Sequence, residues 1–242
     1  MEFEKILNQY FGKVYSEVDY VKRSYGALKK WGFSDESAIA SVCLCRDEIS
    51  QTLRSIIKHM WGEAFNLSSL AGMFFAGQTG LAAAMHHSPN VGGKERYVFY
   101  ALPHIAIDSD GRLGACTRTG REGESSACGA LIAFQKELTS GKLNLSLDDV
   151  DIEQNLLKRR LLREIPYGQI PDLLALTMTT QKVIQKDIEY ALNTVVDRRK
   201  SDYAMFTGIQ IHGPSSNYIY PVSSYAVVNE VMEVIDFEKE KP

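Results

Sequence analysis

The amino-acid sequence predicts a single α/β domain with extra helices at both ends. Its 242 residues are 45% hydrophobic, which is enough to bury one substantial core. Nothing in the composition is typical of disorder, collagen or a disulfide scaffold. Strand-like patterns alternate with helical ones, and no repeat, long linker or low-complexity tract divides the chain. We therefore predict one domain over 1–242, with a helical extension at 1–32 and a tail at 236–242.

The chain is predicted to open with two amphipathic helices. Apolar and aromatic residues recur at helical spacing over Phe3–Phe11 and again over Val14–Trp31, and Gly32 follows the second run. The outer faces of these helices are predicted to carry the charged residues Glu17, Lys22, Lys29 and Lys30.

A strand followed by a helix comes next. AIASVCLC, residues 38–45, is typical of a short buried strand, and Ile49–Trp61 resumes the helical period. The turn between them holds Arg46, Asp47 and Glu48. In open α/β sheets, ligands bind at such turns, outside the carboxyl ends of the strands. This turn is therefore a candidate functional site.

The middle of the chain is predicted to contain two strands and two helical segments. MFFAG, residues 73–77, reads as a short strand, and ERYVFYALPHIAID, residues 95–108, is the strongest strand pattern in the sequence. Between them GLAAAMHH predicts a helix or tight turn that ends in His86 and His87. The loop TRTGREGESSACGA then passes into a helix. This places Cys128 near a helix N-terminus, where the helix dipole favours the thiolate.

The last third of the chain changes character. Two long charged helices are predicted over Asp148–Arg163 and Asp172–Arg198. Two strands follow, YAMFTGIQIHG at 203–213 and SSNYIYPVSSYAVV at 215–228, and His212 lies near the end of the first.

Charge and cysteine content narrow the classes of function and location. A net charge of −3 with a pI near 6.0 provides no basic surface for nucleic acid. The longest apolar-leaning stretch, 67–85, is interrupted by polar residues and is too short for a membrane span. Four cysteines and an N-terminus without a secretory signal predict a reducing compartment. We expect a cytoplasmic protein, or a plastid one if a targeting segment has been removed.

Three separated residues predict a metal site. Cys45 follows the first strand, His104 lies near the end of the aromatic strand, and Cys128 begins the later helix. Thiolate and imidazole are good zinc ligands, and three protein ligands with a fourth position for water are typical of a catalytic site. Paired Cys-x2-Cys repeats, which indicate structural zinc, are absent from the sequence. Buried cysteines beside a hydrogen-bonded histidine are the alternative reading of the same pattern.

Several segments of the chain together resemble one known family. They are CRDE at 45–48, WGEAFNLSSLAGM at 61–73, His86 and His87 before Ser-Pro, ERYVFYALPHIAID, and SSACGALIAFQKEL at 125–138. In this order, from about Phe33 to Leu143, they resemble the limiting CO2-inducible protein B/C family, also called the theta class of carbonic anhydrase-like proteins. The resemblance implies a fold similar to β-carbonic anhydrases, with a mostly parallel sheet flanked by helices. It also implies a homodimer and one zinc ion bound by two cysteines and one histidine.

The resemblance further implies roles for individual residues. Cys45, His104 and Cys128 would bind zinc, and Asp47 matches the aspartate of the Cys-x-Asp pattern in β-type enzymes. Those enzymes carry the arginine of an Asp–Arg dyad two residues further on, where this chain has Ile49. The resemblance therefore points to Arg46 as the partner of Asp47. Arg54 and the arginines of the 112–121 loop are the alternatives.

Two further expectations concern the chemistry around the metal. Asp47 would either orient the zinc-bound nucleophile or occupy the fourth zinc position itself, and an arginine bound to both carboxylate oxygens would favour the first. His87 is expected to shuttle protons, because imidazole titrates near physiological pH.

The function implied is a zinc carbonic anhydrase that interconverts CO2 and bicarbonate through zinc-bound hydroxide. Two alternatives stay open at this point. One is a non-catalytic zinc protein that acts in inorganic-carbon handling through its assemblies. The other is a thiol enzyme with Cys128 as nucleophile and His104 as base.

Overall fold

The computed structural model describes residues 2–118, 120, 122–147 and 149–240. The helices within these ranges are α1 (Glu2–Tyr10), α2 (Glu17–Leu28), α3 (Gln51–Trp61), α4 (Gly77–Met85), α5 (Gly129–Ser140), α6 (Ile152–Leu162) and α7 (Leu173–Val195). The strands are β1 (Tyr15–Ser16), β2 (Ile39–Leu44), β3 (Ala64–Asn66), β4 (Asn90–Val91), β5 (Lys94–Leu102), β6 (His104–Ala106), β7 (Ala115–Cys116), β8 (Ser125–Ser126), β9 (Ser201–His212), β10 (Asn217–Val228) and β11 (Val231–Val234).

A central sheet organises the domain. Its strands lie in the order β3, β2, β5, β9, β10 and β1. The first four are parallel to one another, and β6 continues the course of β5 alongside β9. Antiparallel pairing is confined to β10 with its neighbours and to the short β4. The mostly parallel sheet flanked by helices is therefore confirmed.

Helices cover both faces of the parallel strands. One face packs against α2 and α3, and the other packs against α4 to α7, with α7 at the centre of that layer. Strands covered on both sides are expected to be apolar throughout rather than alternating. Accordingly, every residue of β2 and every residue of β9 is buried.

The two cores take alternate residues of the same strands, because successive side chains of a strand point to opposite faces. Val42 and Leu44 of β2 belong to the core beneath α2 and α3. Cys43 and Cys45 belong to the larger core beneath α7. The alternation determines the side of the sheet on which Cys45 emerges at the end of β2.

Most of the predicted elements are confirmed, but one strand is wrong. MFFAG forms no strand; it follows a short 3-10 turn at Leu70–Gly72, and the edge strand is β3 instead. Gly72 has a φ of +76°, and a Cβ there would lie 3.1 Å from the carbonyl oxygen of Leu102. The chain therefore turns closely against the ends of β2 and β5, where an extended strand has no room.

The strongest predicted strand is divided in two. The strand is interrupted at Pro103, between β5 and β6, because proline has no N–H to donate to a neighbouring strand. The carbonyl oxygen of Pro103 accepts a hydrogen bond of 2.9 Å from the backbone N–H of Gln210. The break keeps His104 next to β9.

Residues near both ends of the chain differ in exposure from the sequence pattern. Glu17 is wrongly predicted to be on an outer face: it is 4% exposed, because the N-terminus of α2 packs against β10 and the end of β9. In the tail, Phe237 is buried and stacks on Tyr20 with the ring centroids 4.8 Å apart. The predicted start of the first charged helix at Asp148 lies outside the described residues. Within the described ranges, no helix is both long enough and apolar enough to cross a bilayer.

Candidate metal centre

Three buried side chains meet at the carboxyl end of the parallel sheet. The ligand atoms of Cys45, His104 and Cys128 all lie within 4.8 Å of one another. The two sulfur atoms are 3.9 Å apart. His104 is completely buried, and both cysteines are nearly so. The structure thus brings together the three residues that the sequence separates widely.

The position of Cys45 follows from the end of β2. Cys45 forms an isolated parallel bridge with Ser69, and the next residue, Arg46, donates its backbone N–H to the Ser69 carbonyl oxygen at 3.2 Å. His104 is the first residue of β6 and pairs with Gln210 of β9. Because β2, β5 and β9 are parallel neighbours, their carboxyl ends meet at one edge of the sheet.

Cys128 is brought to this edge by backbone hydrogen bonds between its loop and β6. Ala106 donates to Ala127 at 3.2 Å, Ala127 donates to Gly114 at 3.0 Å, and Gly114 donates to Ala106 at 2.7 Å. A Cβ on Gly114 would lie 2.8 Å from Leu173. Glycine at this position therefore lets the loop pack closely against Leu173 of α7. Cys128 then occupies the N-cap position of α5, as predicted, and its side chain makes no capping hydrogen bond.

The donor set fits a metal ion. His104 Nε2 is buried and has no hydrogen-bond partner among the described residues, whereas His104 Nδ1 lies 3.0 Å from His212 Nε2. An unsatisfied buried polar atom costs about 1–3 kcal/mol. A cation bound at this nitrogen would remove the cost.

The two cysteine side chains are placed so that a thiolate on Cys45 accepts a hydrogen bond from the thiol of Cys128. The hydrogen bond from Cys128 lowers the pKa of Cys45, which favours the Cys45 thiolate. The same bond, followed by burial, raises the pKa of Cys128. A buried negative charge facing a free imidazole nitrogen is best balanced by a cation of the kind that binds sulfur and nitrogen.

A carboxylate and an arginine flank the three ligands. Arg118 binds both oxygens of Asp47, with Nη1–Oδ1 at 2.7 Å and Nη2–Oδ2 at 3.0 Å. Asp47 Oδ2 lies 4.0 Å from His104 Nε2. Burial acts to raise the pKa of Asp47, but the Arg118 hydrogen bonds and other favourable contacts outweigh it and lower the pKa to about 2. Asp47 is thus a fixed anion beside the metal ligands.

The partner of Asp47 is Arg118 and not Arg46, so the expected pairing is wrong. Arg46 points the other way, because alternate residues of an extended segment face opposite sides. Its guanidinium contacts Glu153 Oε1 at 2.7 Å and the carbonyl oxygen of Ser68 at 3.3 Å. The alternative that placed the partner in the 112–121 loop is the one that the geometry supports. Arg121 of that loop lies outside the described residues.

Arg118 is itself held in place from several sides. Its guanidinium donates to Ser125 Oγ at 2.7 Å and to the Ser126 carbonyl oxygen at 3.0 Å, and it contacts the carboxylate of Glu48. A cavity of about 880 Å³ lies against Arg118 and His212. Arg118 therefore borders a space large enough for small molecules.

A comparison with protein families identifies the family of this chain. The model of the limiting CO2-inducible proteins B/C, β carbonic anhydrases, matches residues 15–228. The chain belongs to this family. All the ligand and dyad residues described above lie within the matched range.

Solved structures agree with the membership of the limiting CO2-inducible protein B/C family. The crystal structure of the limiting CO2-inducible protein LCIB is 34% identical, with 96% of this chain and 97% of that chain covered and a TM-score of 0.80. The crystal structure of PtLCIB4, a homolog of LCIB, is 21% identical, with 96% and 98% covered and a TM-score of 0.83. The second likeness shows the fold alone. A search of curated proteins finds no match.

His87 does not join the ligand cluster of this family member, and its proton-shuttle role stays a prediction. It is exposed, and its ring centroid is 5.5 Å from that of Phe65 on β3. The next residue, Ser88, donates to the carbonyl oxygen of Arg96 at 3.1 Å, eight residues before His104 on the same strand path. Helix α4 thus carries the chain back toward the amino end of the sheet before β5 begins, whereas the three ligands lie at the carboxyl end.

Sequence reasoning overlooked the residues behind His104. His212 is 4% exposed and contacts the zinc-ligand candidate directly, but its position near a strand end was its one visible signal. Asn217 and Glu17 gave no signal at all. Their roles depend on the pairing of β9 with β10 and on the packing of α2.

Proposed function

We propose that this protein is a zinc-dependent carbonic anhydrase that interconverts CO2 and bicarbonate. Family membership supports the reaction class. The bidentate pair of Asp47 and Arg118 beside the three ligand residues is the observation that carries the proposal. Cys45, His104 and Cys128 would bind the zinc ion, since two thiolates and one imidazole are ligands that zinc accepts.

The protein residues around the zinc ion have distinct tasks. Zinc, when bound, supplies a nucleophile for CO2 at neutral pH by lowering the pKa of water. Cys45 and Cys128 balance the charge of the ion. Asp47 accepts a hydrogen bond from the nucleophile and so orients it toward CO2, because an ionised carboxylate can act solely as an acceptor.

Arg118 favours an open site over a closed one. Asp47 Oδ2 lies 4.0 Å from His104 Nε2, close enough for Asp47 to compete for the fourth zinc position. Both Asp47 oxygens are instead occupied by hydrogen bonds from Arg118. A bidentate arginine clamp resists rotation of the carboxylate. With both oxygens held in this way, Asp47 would act as a hydrogen-bond acceptor beside the ion and would not become a further ligand.

The setting of the enzyme forms part of the same proposal. All four cysteines are free, and two of them are ligands that must stay reduced, so we place the protein in a reducing compartment such as the cytoplasm. We also propose a homodimer, on the basis of family resemblance. The mass of the zinc-loaded protein in solution tests the dimer, and a monomeric mass at assay concentration would contradict it.

The function is tested by zinc content and stopped-flow CO2 hydration on one preparation. We expect about one zinc ion per chain, as for a single three-ligand site. Asp47→Asn should retain zinc and lower kcat/KM by about 100-fold or more, since it removes the negative charge and replaces one of the two oxygens that Arg118 holds with an NH2 donor. Asp19→Asn, at a half-buried aspartate on α2 that pairs with Arg23, is the matched control and should behave as wild type.

The alternatives predict different results. Full zinc occupancy without CO2 hydration would favour the non-catalytic zinc protein. A metal-free protein that keeps an activity until its thiols are alkylated would favour the thiol enzyme with Cys128 as nucleophile.

A further inference from the structure

A chain of hydrogen-bonded side chains leads from His104 along the wall of the cavity that Arg118 also lines. His104 Nδ1 lies 3.0 Å from His212 Nε2, and His212 Nδ1 lies 3.1 Å from Asn217 Oδ1. Asn217 Nδ2 lies 3.4 Å from Glu17 Oε2. The chain therefore links the candidate metal ligand to a carboxylate through two intervening side chains.

The carboxylate sets the direction of every bond in this chain. An ionised carboxylate can accept hydrogen bonds but cannot donate one, so Asn217 must turn its NH2 group toward Glu17. Asn217 Oδ1 then faces His212 and accepts from the Nδ1–H. His212 Nε2 is left as an acceptor, and it takes the proton of His104 Nδ1. The Nε2 lone pair of His104 is therefore free, and it is the atom that faces the two sulfurs.

Burial raises the pKa of Glu17, but two features act in the other direction and favour its ionised, accepting form. It lies in the first turn of α2, where the helix dipole favours negative charge. Its other oxygen, Oε1, accepts a hydrogen bond of 2.6 Å from Gln210 Nε2. Both amide groups that contact Glu17 thus donate to it.

Burial makes the hydrogen bonds of this chain difficult to replace by bonds to water. His104 is 0% exposed, and His212 and Glu17 are each 4% exposed, so bulk water is a poor substitute for the partners that they have. Removing one link leaves the next buried group without a partner. Metal-binding histidines depend on such outer partners for ring orientation and for the choice of the free nitrogen.

We propose that His212, Asn217 and Glu17 are positioning residues that hold His104 as the Nδ1–H tautomer with Nε2 directed at the metal. The inference rests on the proposed function, because it takes zinc as the ion bound. It adds three residues to the site that act on the ion through His104. Their effect should appear first in how firmly zinc is held.

The first test measures zinc transfer from the zinc-loaded protein to a colorimetric chelator. His212→Leu leaves His104 Nδ1 without an acceptor, and we expect zinc affinity to fall by about 10–100-fold. His212→Gln offers both an acceptor and a donor and should recover part of the loss. Glu17→Gln should weaken zinc binding, and Asp19→Asn, which removes a charge from the same helix turn, should not.

The second test reads the tautomers directly in the wild-type protein. Long-range ¹H–¹⁵N correlation spectra of the zinc-loaded protein should show both His104 and His212 protonated at Nδ1. His212 protonated at Nε2 would overturn the proposal, even if the substituted chains fail to fold. Urea unfolding of the metal-free variants separates the roles, because a purely structural residue would change stability and leave the zinc dissociation rate alone.

The outcomes distinguish this inference from the proposed function. A wild-type protein that binds no zinc overturns both. A wild-type protein that binds zinc and hydrates CO2, with His212→Leu holding zinc as firmly, overturns the positioning role alone.

Discussion

The two flanks of His104 border the same cavity but differ in chemistry. On one flank, Asp47 and Arg118 form an ion pair that is 12% and 11% exposed, and Arg118 lines the cavity. On the other, His212 and Glu17 are each 4% exposed, and with the half-buried Asn217 they form a hydrogen-bonded chain along the cavity wall. The first flank carries a pair of charges that can act on a substrate, whereas the second carries hydrogen bonds that can set the direction of a ligand.

The difference also reflects the elements that build each flank. Asp47 and Arg118 come from loops that follow strands, where side chains can be arranged around a substrate at little cost to the fold. His212 ends the fully buried strand β9, and Glu17 begins a helix packed beside it. Rigid elements therefore support the ligand, and loops shape the reacting side.

The largest effect is expected from removing one of the three metal ligands. Cys128→Ser should lower zinc content to a small fraction of wild type and reduce CO2 hydration to background, because the site loses one of its two thiolates. Elemental analysis and stopped-flow assays on the same sample measure both. Cys43→Ser is the matched control: Cys43 is buried in the same core but lies outside the ligand cluster, so zinc content should be unchanged. Full zinc content in Cys128→Ser would contradict the ligand set.

A smaller effect should distinguish Arg118, which binds Asp47, from Arg46 on the surface nearby. Arg118→Ala should lower kcat/KM by about 100-fold with zinc retained, because Asp47 loses its clamp. Arg46→Ala should keep activity near wild type and cost at most about 1 kcal/mol of unfolding free energy, as for an exposed ion pair. If Arg46→Ala were the inactive variant, the assignment of the dyad to Arg118 would be wrong.

The smallest effect should come from the other end of the sheet. His87→Ala should leave CO2 hydration unchanged and alter the unfolding free energy by about 0.5 kcal/mol or less, because His87 is an exposed residue away from the ligands. Proton-transfer-limited rates in weak and strong buffer provide the sharper measurement. A loss of activity that added imidazole rescues would instead support the shuttle role of His87.

Much of the fold could be predicted from periodicity and composition. The long helices α6 and α7, the strands β9 and β10, and the start of α5 at Cys128 follow from local patterns that any chain of this sequence shares. The strand predicted at MFFAG failed, because a glycine with positive φ turns the chain against two strand ends that are distant in sequence. Local patterns contain no information about such a close approach.

The sequence by itself determined which residue types are available for a metal site and which segments carry them: Cys45, His104 and Cys128 each follow or begin an element whose pattern is readable. Only the tertiary structure decided that Arg118 and not Arg46 faces Asp47, that His87 lies elsewhere, and that His212 stands behind His104. The physical reason is that spacing along the chain predicts contacts within one helix or strand. Contacts between elements depend instead on the register of β6 with β9 and on the course of loops, which packing of the whole sheet determines.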